Sequence, residues 1–298
     1  MTSTVTPATR RAHFAIGSEQ TAKRAVDLLS ESFVEGQAAI TAFEGPGGRW
    51  DITVHFAEPP DEIAVRELIG LAAGEEAARG VAFDTVEATD WVKATLADLV
   101  PVRAGRFVVH GQHDRSKVPA NKLGIEIEAA LAFGTGHHGT TRGCLLLLDE
   151  VLKAHLPRRV LDLGTGTGVL AIAAAKALRK NVLASDIDPL AVRVARENAR
   201  LNGAGDLVQA IHATGFSAPE FSARAPFDLV LANILANPLR QMATPMAQHL
   251  APLALVILSG LLPSQAQGVV AAYRARGLVL RKQLGIEGWS SLLMQRVS

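Results

Sequence analysis

The feature that most constrains this chain is Val160-Leu-Asp-Leu-Gly164-Thr-Gly166-Thr-Gly168, an apolar strand pattern that runs through three alternating glycines into the alanine-rich stretch Val169–Leu178. A strand that turns directly into a helix in this way belongs to a strand–helix–strand unit, and its parallel sheet must be covered on both faces. The glycines let the backbone turn tightly and approach a ligand with no Cβ in the way. The spacing is GxGxG, with Val169 where a nicotinamide-type GxGxxG loop would place its third glycine.

Two acids qualify the loop. Asp162 lies two residues before Gly164, an anion that would repel a pyrophosphate but would hold an ammonium group. Asp186 closes the next strand pattern, 22 residues after Gly164, near the ~20-residue offset at which an acid reaches ribose hydroxyls. A ligand with a ribose, an amino-acid end and no phosphate fits Asp162, Gly164, Gly166 and Asp186, and S-adenosylmethionine is such a ligand. A purely structural glycine turn is the alternative. Asp188, followed by Pro189, reads as a helix N-cap. Asp228 lies five residues before Asn233, at the other end of its strand, and reads as structural.

The surrounding pattern supports an α/β domain. Strands are expected at Arg159–Leu163, Asn181–Asp186, Leu207–His212, Phe227–Ala232 and Leu253–Leu258, with helices between them. Leu278–Leu284 and Trp289–Val297 flank a Gly285–Gly288 turn and read as a hairpin that adds an antiparallel strand. Upstream the order is βαββαβ: strands at Ala12–Ile16, Ala38–Phe43, Trp50–Phe56 and Val81–Val86, with helices opened by Ser18 and by Pro59-Pro60-Asp61. That is the ferredoxin-like split motif. Residues 90–123 read as a connector with a short helix over Trp91–Leu99, a strand Arg106–His110 and a polar loop Gly111–Lys122. The expected domains are therefore 1–89, a connector 90–123, and 124–298.

Charge divides along the same line. The 298 residues carry a net charge of +1, but residues 1–90 hold seven Lys/Arg against fifteen Asp/Glu, or −8, and the remainder is +9. An acidic first domain is a poor fit to phosphate backbones and a better one to a basic polypeptide, so no stable nucleic-acid partner is expected. The single cysteine, Cys144, excludes a disulfide framework and reads as a small buried hydrophobe. No histidine cluster has recognised metal-ligand spacing, so no metal is expected. Without a membrane-spanning run or a leader pattern, a cytoplasmic chain is expected, and a monomer is favoured.

Asn233-Ile-Leu-Ala236 after the fourth sheet strand, together with the glycine loop and the Asp186 offset, resembles the class I methyltransferases. Ala130-Leu-Ala-Phe133-Gly134-Thr135-Gly136-His-His-Gly-Thr-Thr141, Ser259-Gly-Leu-Leu-Pro-Ser-Gln265 and the Asp90–Pro101 connector resemble the ribosomal protein L11 methyltransferase family over about residues 90–298. The N-terminal portion matches by architecture and position. The resemblance implies a Rossmann-like, mostly parallel seven-stranded sheet with an antiparallel terminal strand, preceded by a small α+β ferredoxin-like domain that recognises the ribosomal protein. It implies S-adenosylmethionine contacts at Thr141, Gly164, Asp186 and Asn233, a loop Phe133, Gly134, Thr135 and Gly136 over the cofactor, and methylation of lysine and N-terminal amines. The chain departs from the family at His137-His138-Gly139, where Thr-His-Pro is usual, and at Thr165 and Thr167, where Cys and Ser are common.

The chemistry asks for alignment more than for a base. The side-chain carbonyl of Asn233 is the candidate catalytic group, accepting amine hydrogens and aiming the lone pair. Ala236 offers no ring to stack on a flipped base, which sets the motif apart from the Asn-Pro-Pro-aromatic run of base-modifying relatives. The alternatives are methylation of another protein, such as an electron-transfer flavoprotein subunit, and a non-catalytic cofactor-sensing, ribosome-binding module.

Overall fold

The computed structural model describes residues 9–33, 38–44, 49–56, 59–86, 101–127 and 139–297. The chain divides into two compact units, residues 1–95 and 96–298. The expected Trp91–Leu99 helix lies outside the described residues.

In the first unit, strands β1 (Thr9–Ile16), β2 (Ala38–Glu44), β3 (Trp50–Phe56) and β4 (Ala82–Val86) form an antiparallel sheet in the order β2-β3-β1-β4. Helices α1 (Glu19–Ser32), α2 (Glu62–Ala73) and the short α3 (Glu75–Gly80) complete the split βαβ arrangement. Alternation along β3 buries Ile52, Val54 and Phe56 and turns Asp51, Thr53 and His55 to the opposite face. The buried set packs with Phe14, Leu29, Val65 and Ile69 in one core. Ser18 and Asp61 cap their helices, accepting from Thr21 N at 3.1 Å and Ile63 N at 3.0 Å.

The second unit opens with β5 (Val102–Ala104), β6 (Phe107–His110) and β7 (Leu123–Glu126), a three-stranded sheet. A 3-10 turn, Gln112–Lys117, occupies the segment expected as a plain loop. The Arg115 guanidinium donates to both Glu126 carboxylate oxygens at 2.7 Å. Asn202 holds the Glu126 backbone from both sides, accepting its N–H at 2.8 Å and donating to its carbonyl at 2.6 Å. Phe107, Val109, Ile125 and Ile127 belong to the same core as the helices that follow.

Those helices alternate with seven strands. In chain order they are α4 (Gly139–Ala154), β8 (Val160–Leu163), α5 (Val169–Leu178), β9 (Val182–Asp186), α6 (Pro189–Leu201), β10 (Val208–His212), α7 (Pro219–Arg224), β11 (Phe227–Asn233), α8 (Ala236–Gln248), β12 (Leu250–Leu261), α9 (Pro263–Arg274), β13 (Leu278–Ile286) and β14 (Trp289–Arg296). The sheet order is β10-β9-β8-β11-β12-β14-β13. Six strands run parallel, and the chain's last strand is antiparallel between β12 and β13. Central β11 shows why its sequence lacks a polar face: Leu229 and Leu231 enter the core beneath α4, α5 and α6, while Val230 and Ala232 enter the core beneath α7, α8 and α9. Asp228 accepts from the backbone N–H groups of Arg158 and Arg159 at 2.8 and 2.9 Å, latching the entry to β8. Asp188 caps α6 through Leu190 N at 2.8 Å.

Candidate functional site

The order of the sheet reverses between β8 and β11, and the crevice at the carboxyl ends of such strands is where an open α/β sheet receives a ligand. Register brings the candidate residues to one level there. Leu163 pairs with Ser185 and with Ala232, so the next residue of each strand, Gly164, Asp186 and Asn233, stands in one row. Ser259 of β12 extends the row beside Asn233.

The glycine loop is bent as its sequence requires. Gly164, Gly166 and Gly168 have φ of +69°, +54° and +84°, the left-handed region in which a side chain costs about 1–2 kcal/mol. A Cβ on Gly164 would lie 2.2 Å from Ile234 Cγ2, and one on Gly168 would lie 3.1 Å from Ala195 Cβ. The backbone N–H groups of Gly164 and Thr165 donate to the Ser185 carbonyl at 2.8 and 2.9 Å. Asn198 donates to the Thr167 carbonyl at 2.9 Å, so α6 also supports the loop.

Asp186 is part-buried and already oriented. One carboxylate oxygen accepts the Gly166 N–H at 2.8 Å and the other the Asp188 N–H at 3.0 Å. Each oxygen keeps a second acceptor position for a hydroxyl. Asp162 is different, being only 1% exposed. Its Oδ2 accepts from Thr165 Oγ1 at 2.6 Å and from Ala171 N at 3.0 Å, which ties the loop to the first turn of α5. Its Oδ1 is buried with no hydrogen-bond partner among the described residues. Burial pushes the Asp162 carboxyl up to about 7; the Thr165 and Ala171 hydrogen bonds oppose that rise, and the charge of Asp186 adds to it.

Asn233 leaves β11 part-buried. Its Nδ2 donates, over long distances, to Thr141 Oγ1 at 3.3 Å and Thr140 Oγ1 at 3.5 Å, both in the first turn of α4. With the amide nitrogen on the hydroxyls, Oδ1 is the end left to accept. The structure thus brings Thr141, Asp162, Gly164, Gly166, Asp186 and Asn233 to the end of one crevice. Phe133, Gly134, Thr135 and Gly136 lie outside the described residues.

Other side chains at this site carried no local signal. Thr140 was legible only as half of a Thr-Thr pair, and Asn198 only as one polar residue of an amphipathic helix. Cys144 is fully buried, and burial pushes its thiol up to about 12, which removes it as a nucleophile. Among the described residues no three His, Cys, Asp or Glu side chains gather as a metal site requires, and no helix is long and apolar enough to cross a membrane.

A seven-stranded sheet of this order, with one inserted antiparallel strand and a nucleoside-type glycine loop at its switch point, defines a class I methyltransferase. The family model described as ribosomal protein L11 methyltransferase (PrmA) matches residues 16–297, and the chain belongs to that family. It is 69% identical over 289 residues to the ribosomal protein L11 methyltransferase of Bradyrhizobium diazoefficiens, covering 97% of this chain and 98% of that one. It is 68% identical over 289 residues to the protein of the same name from Rhodopseudomonas palustris, with the same coverage. A solved structure of ribosomal protein L11 methylase from Lactobacillus delbrueckii subsp. bulgaricus matches with a TM-score of 0.61 at 28% identity, covering 67% of this chain and 100% of that one.

Proposed function

We propose that this chain transfers methyl groups from S-adenosylmethionine to lysine side-chain and N-terminal amines of ribosomal protein L11, in the cytoplasm and as a monomer. Family membership supports the substrate, and one observation carries the site: Asp186, Gly164 and Asn233 stand in one row across three adjacent strands. The residues fit the cofactor. Asp186 offers two oriented carboxylate oxygens to ribose hydroxyls. Gly164 and Gly166 permit the positive-φ turn, with Ile234 packed where a Gly164 side chain would stand, and Asp162, buried in β8 and tied to the loop through Thr165, supplies a titratable negative group beneath that turn, suited to a cationic amino-acid end. Thr141 and Asn233 complete the contacts that the resemblance implies, with Phe133 to Gly136 as the covering loop.

The bound cofactor would supply a methyl group on a sulfonium, from which the neutral thioether leaves as the amine bonds in line to the methyl carbon. The chain's task is alignment, which is worth roughly 7–11 kcal/mol when the reacting atoms are well placed. A lysine must first become neutral, at a cost of about 5 kcal/mol at pH 7 from a pKa of ~10.4, and desolvation reduces that cost. Asn233 Oδ1 accepts an amine hydrogen and turns the lone pair toward the methyl carbon. The acidic residues 1–89 recognise the basic ribosomal protein.

The test is incubation of the full chain with labelled S-adenosylmethionine and unmethylated ribosomal proteins, followed by mass spectrometry. Label on L11 is the expected result. Label on a different protein, such as a flavoprotein subunit, would move the substrate assignment, and tight cofactor binding without label would mark a non-catalytic module. Removing residues 1–89 should leave cofactor binding intact and abolish labelling of L11.

A further inference from the structure

The run Ser259-Gly260 lies in a motif that the ligand contacts above do not use. It sits in an irregular stretch of β12. Pairing with β14 is regular from Leu255–Gln295 to Leu258–Leu292 and then shifts, so that Leu261 stands opposite Ser290. One extra residue is therefore accommodated on β12 between Leu258 and Leu261, a β-bulge, and Gly260 within it has φ of +87°.

The two residues meet different neighbours of Asn233. Ser259 is fully buried; its hydroxyl lies 2.8 Å from Ser291 Oγ, the Ser290 carbonyl stands at 3.5 Å, and the hydroxyl donates to the nearer Thr140 carbonyl at 3.2 Å. That bond seats the turn whose Thr140 and Thr141 hydroxyls receive the Asn233 amide. Gly143 lets α4 close on this serine pair, since a Cβ there would lie 2.1 Å from Ser291 Oγ. Gly260 meets the residue after Asn233. A Cβ on it would lie 2.3 Å from the Ile234 carbonyl oxygen, 2.8 Å from its carbon and 3.2 Å from its nitrogen. These are backbone atoms with no rotamer by which to escape. Beyond that peptide, Ile234 Cγ2 fills the space that a Gly164 side chain would need.

We propose that the Ser259–Gly260 bulge is the positioning element of the methyl transfer. Ser259 sets the hydroxyls that fix the Asn233 amide, and Gly260 sets the peptide that follows it, so one backbone irregularity determines where Asn233 Oδ1 points. Neither residue is a catalytic group; both act through Asn233, and the inference rests on the alignment role proposed for that residue. Bulges re-aim side chains next to active sites, and a shift of about 1 Å in a reacting group costs on the order of 100-fold in rate.

The experiment measures steady-state methylation of L11 and calorimetric S-adenosylmethionine binding for the full-length chain, Ser259→Ala and Gly260→Ala, well below each thermal midpoint. Ser259→Ala adds no atom. It should lower kcat by about tenfold and raise the cofactor Kd by a smaller factor, because Asn233 and Thr141 are also proposed cofactor contacts. Gly260→Ala should lower kcat further, by about 100-fold, with the same split. A bulge with only a structural role would lower the thermal midpoint and leave kcat per folded, cofactor-binding molecule unchanged, and that result overturns the inference. If Gly260→Ala does not fold, Ser259→Ala alone decides. A wild type that binds cofactor but does not methylate L11 overturns the functional reading and this inference together; an active wild type with unaffected variants overturns this inference alone.

Discussion

Replacing Asp186 by Asn isolates what its carboxylate contributes. The two oxygens serve different backbone donors, Gly166 N–H at 2.8 Å and Asp188 N–H at 3.0 Å. An asparagine has one acceptor oxygen, so whichever way its amide turns, an NH2 group meets one of those N–H groups. The variant also loses the charge that strengthens a hydrogen bond to a ribose hydroxyl. Hydrogen bonds to charged groups contribute about 1.5–3 kcal/mol, and at ~1.4 kcal/mol per tenfold the affinity should fall about 10- to 100-fold. Calorimetric titration with S-adenosylmethionine and, separately, S-adenosylhomocysteine reads this directly. Both carry the ribose, so both should weaken by the same factor. Affinities unchanged within about twofold would refute the ribose contact, and weakening of the sulfonium ligand alone would show that Asp186 senses charge instead.

The remaining expectations concern the loop and its buried groups. Gly164→Ala must hold a side chain at φ +69° and 2.2 Å from Ile234 Cγ2; strain of ~1–2 kcal/mol and overpacking of ~1–3 kcal/mol should lower the urea midpoint accordingly, and an unchanged midpoint would contradict the contact. The Asp162 carboxyl is raised from 3.8 to about 7 by burial, so its stabilising contribution is complete below about pH 4 and is lost as pH rises through about 7. The unliganded thermal midpoint should therefore fall between about pH 4 and 7, less so in Asp162→Asn, while affinity for the cationic cofactor rises as pH approaches about 7; parallel profiles for the two chains would exclude Asp162 as the source. Cys144, fully buried with its thiol pushed up to about 12, should react with an alkylating reagent only as fast as the chain unfolds, and prompt alkylation of the native protein would show an opening at α4.

What the chain shows in its sequence, and what it hides, follows from the distance over which each contact acts. Gly164, Gly166 and Gly168 were legible because positive φ favours one residue type, and the strand before them and helix after them lie within a few residues. Asp188 and Asp228 could be read as structural because a cap acts on the next turn and a strand's rise places its two ends apart. Val102–Ala104 was missed as a strand because three residues show no period, and its sheet is secured by Asn202, 76 residues beyond Glu126. The burial of Asp162 was equally hidden, because an acid written beside a glycine loop looks the same whether it faces a ligand or lies beneath the turn.

Parallel pairing then does what no local motif can. Because neighbouring parallel strands advance residue for residue, the last residues of β9 and β11 and the residue that follows β8 reach the crevice at a common height whatever loops and helices intervene. A glycine, an acid and an amide separated by tens of residues become a row once register is set, and register is set by the apolar residues that must enter the two cores. The bulge at Ser259 and Gly260 is where β12 leaves that regular pairing with β14, one strand away from Asn233. Ser259 keeps its regular pairing with Asn233, and the irregularity that follows brings Gly260 against the Ile234 peptide, so the bulge belongs to the geometry around Asn233 and not to the end of a fraying strand.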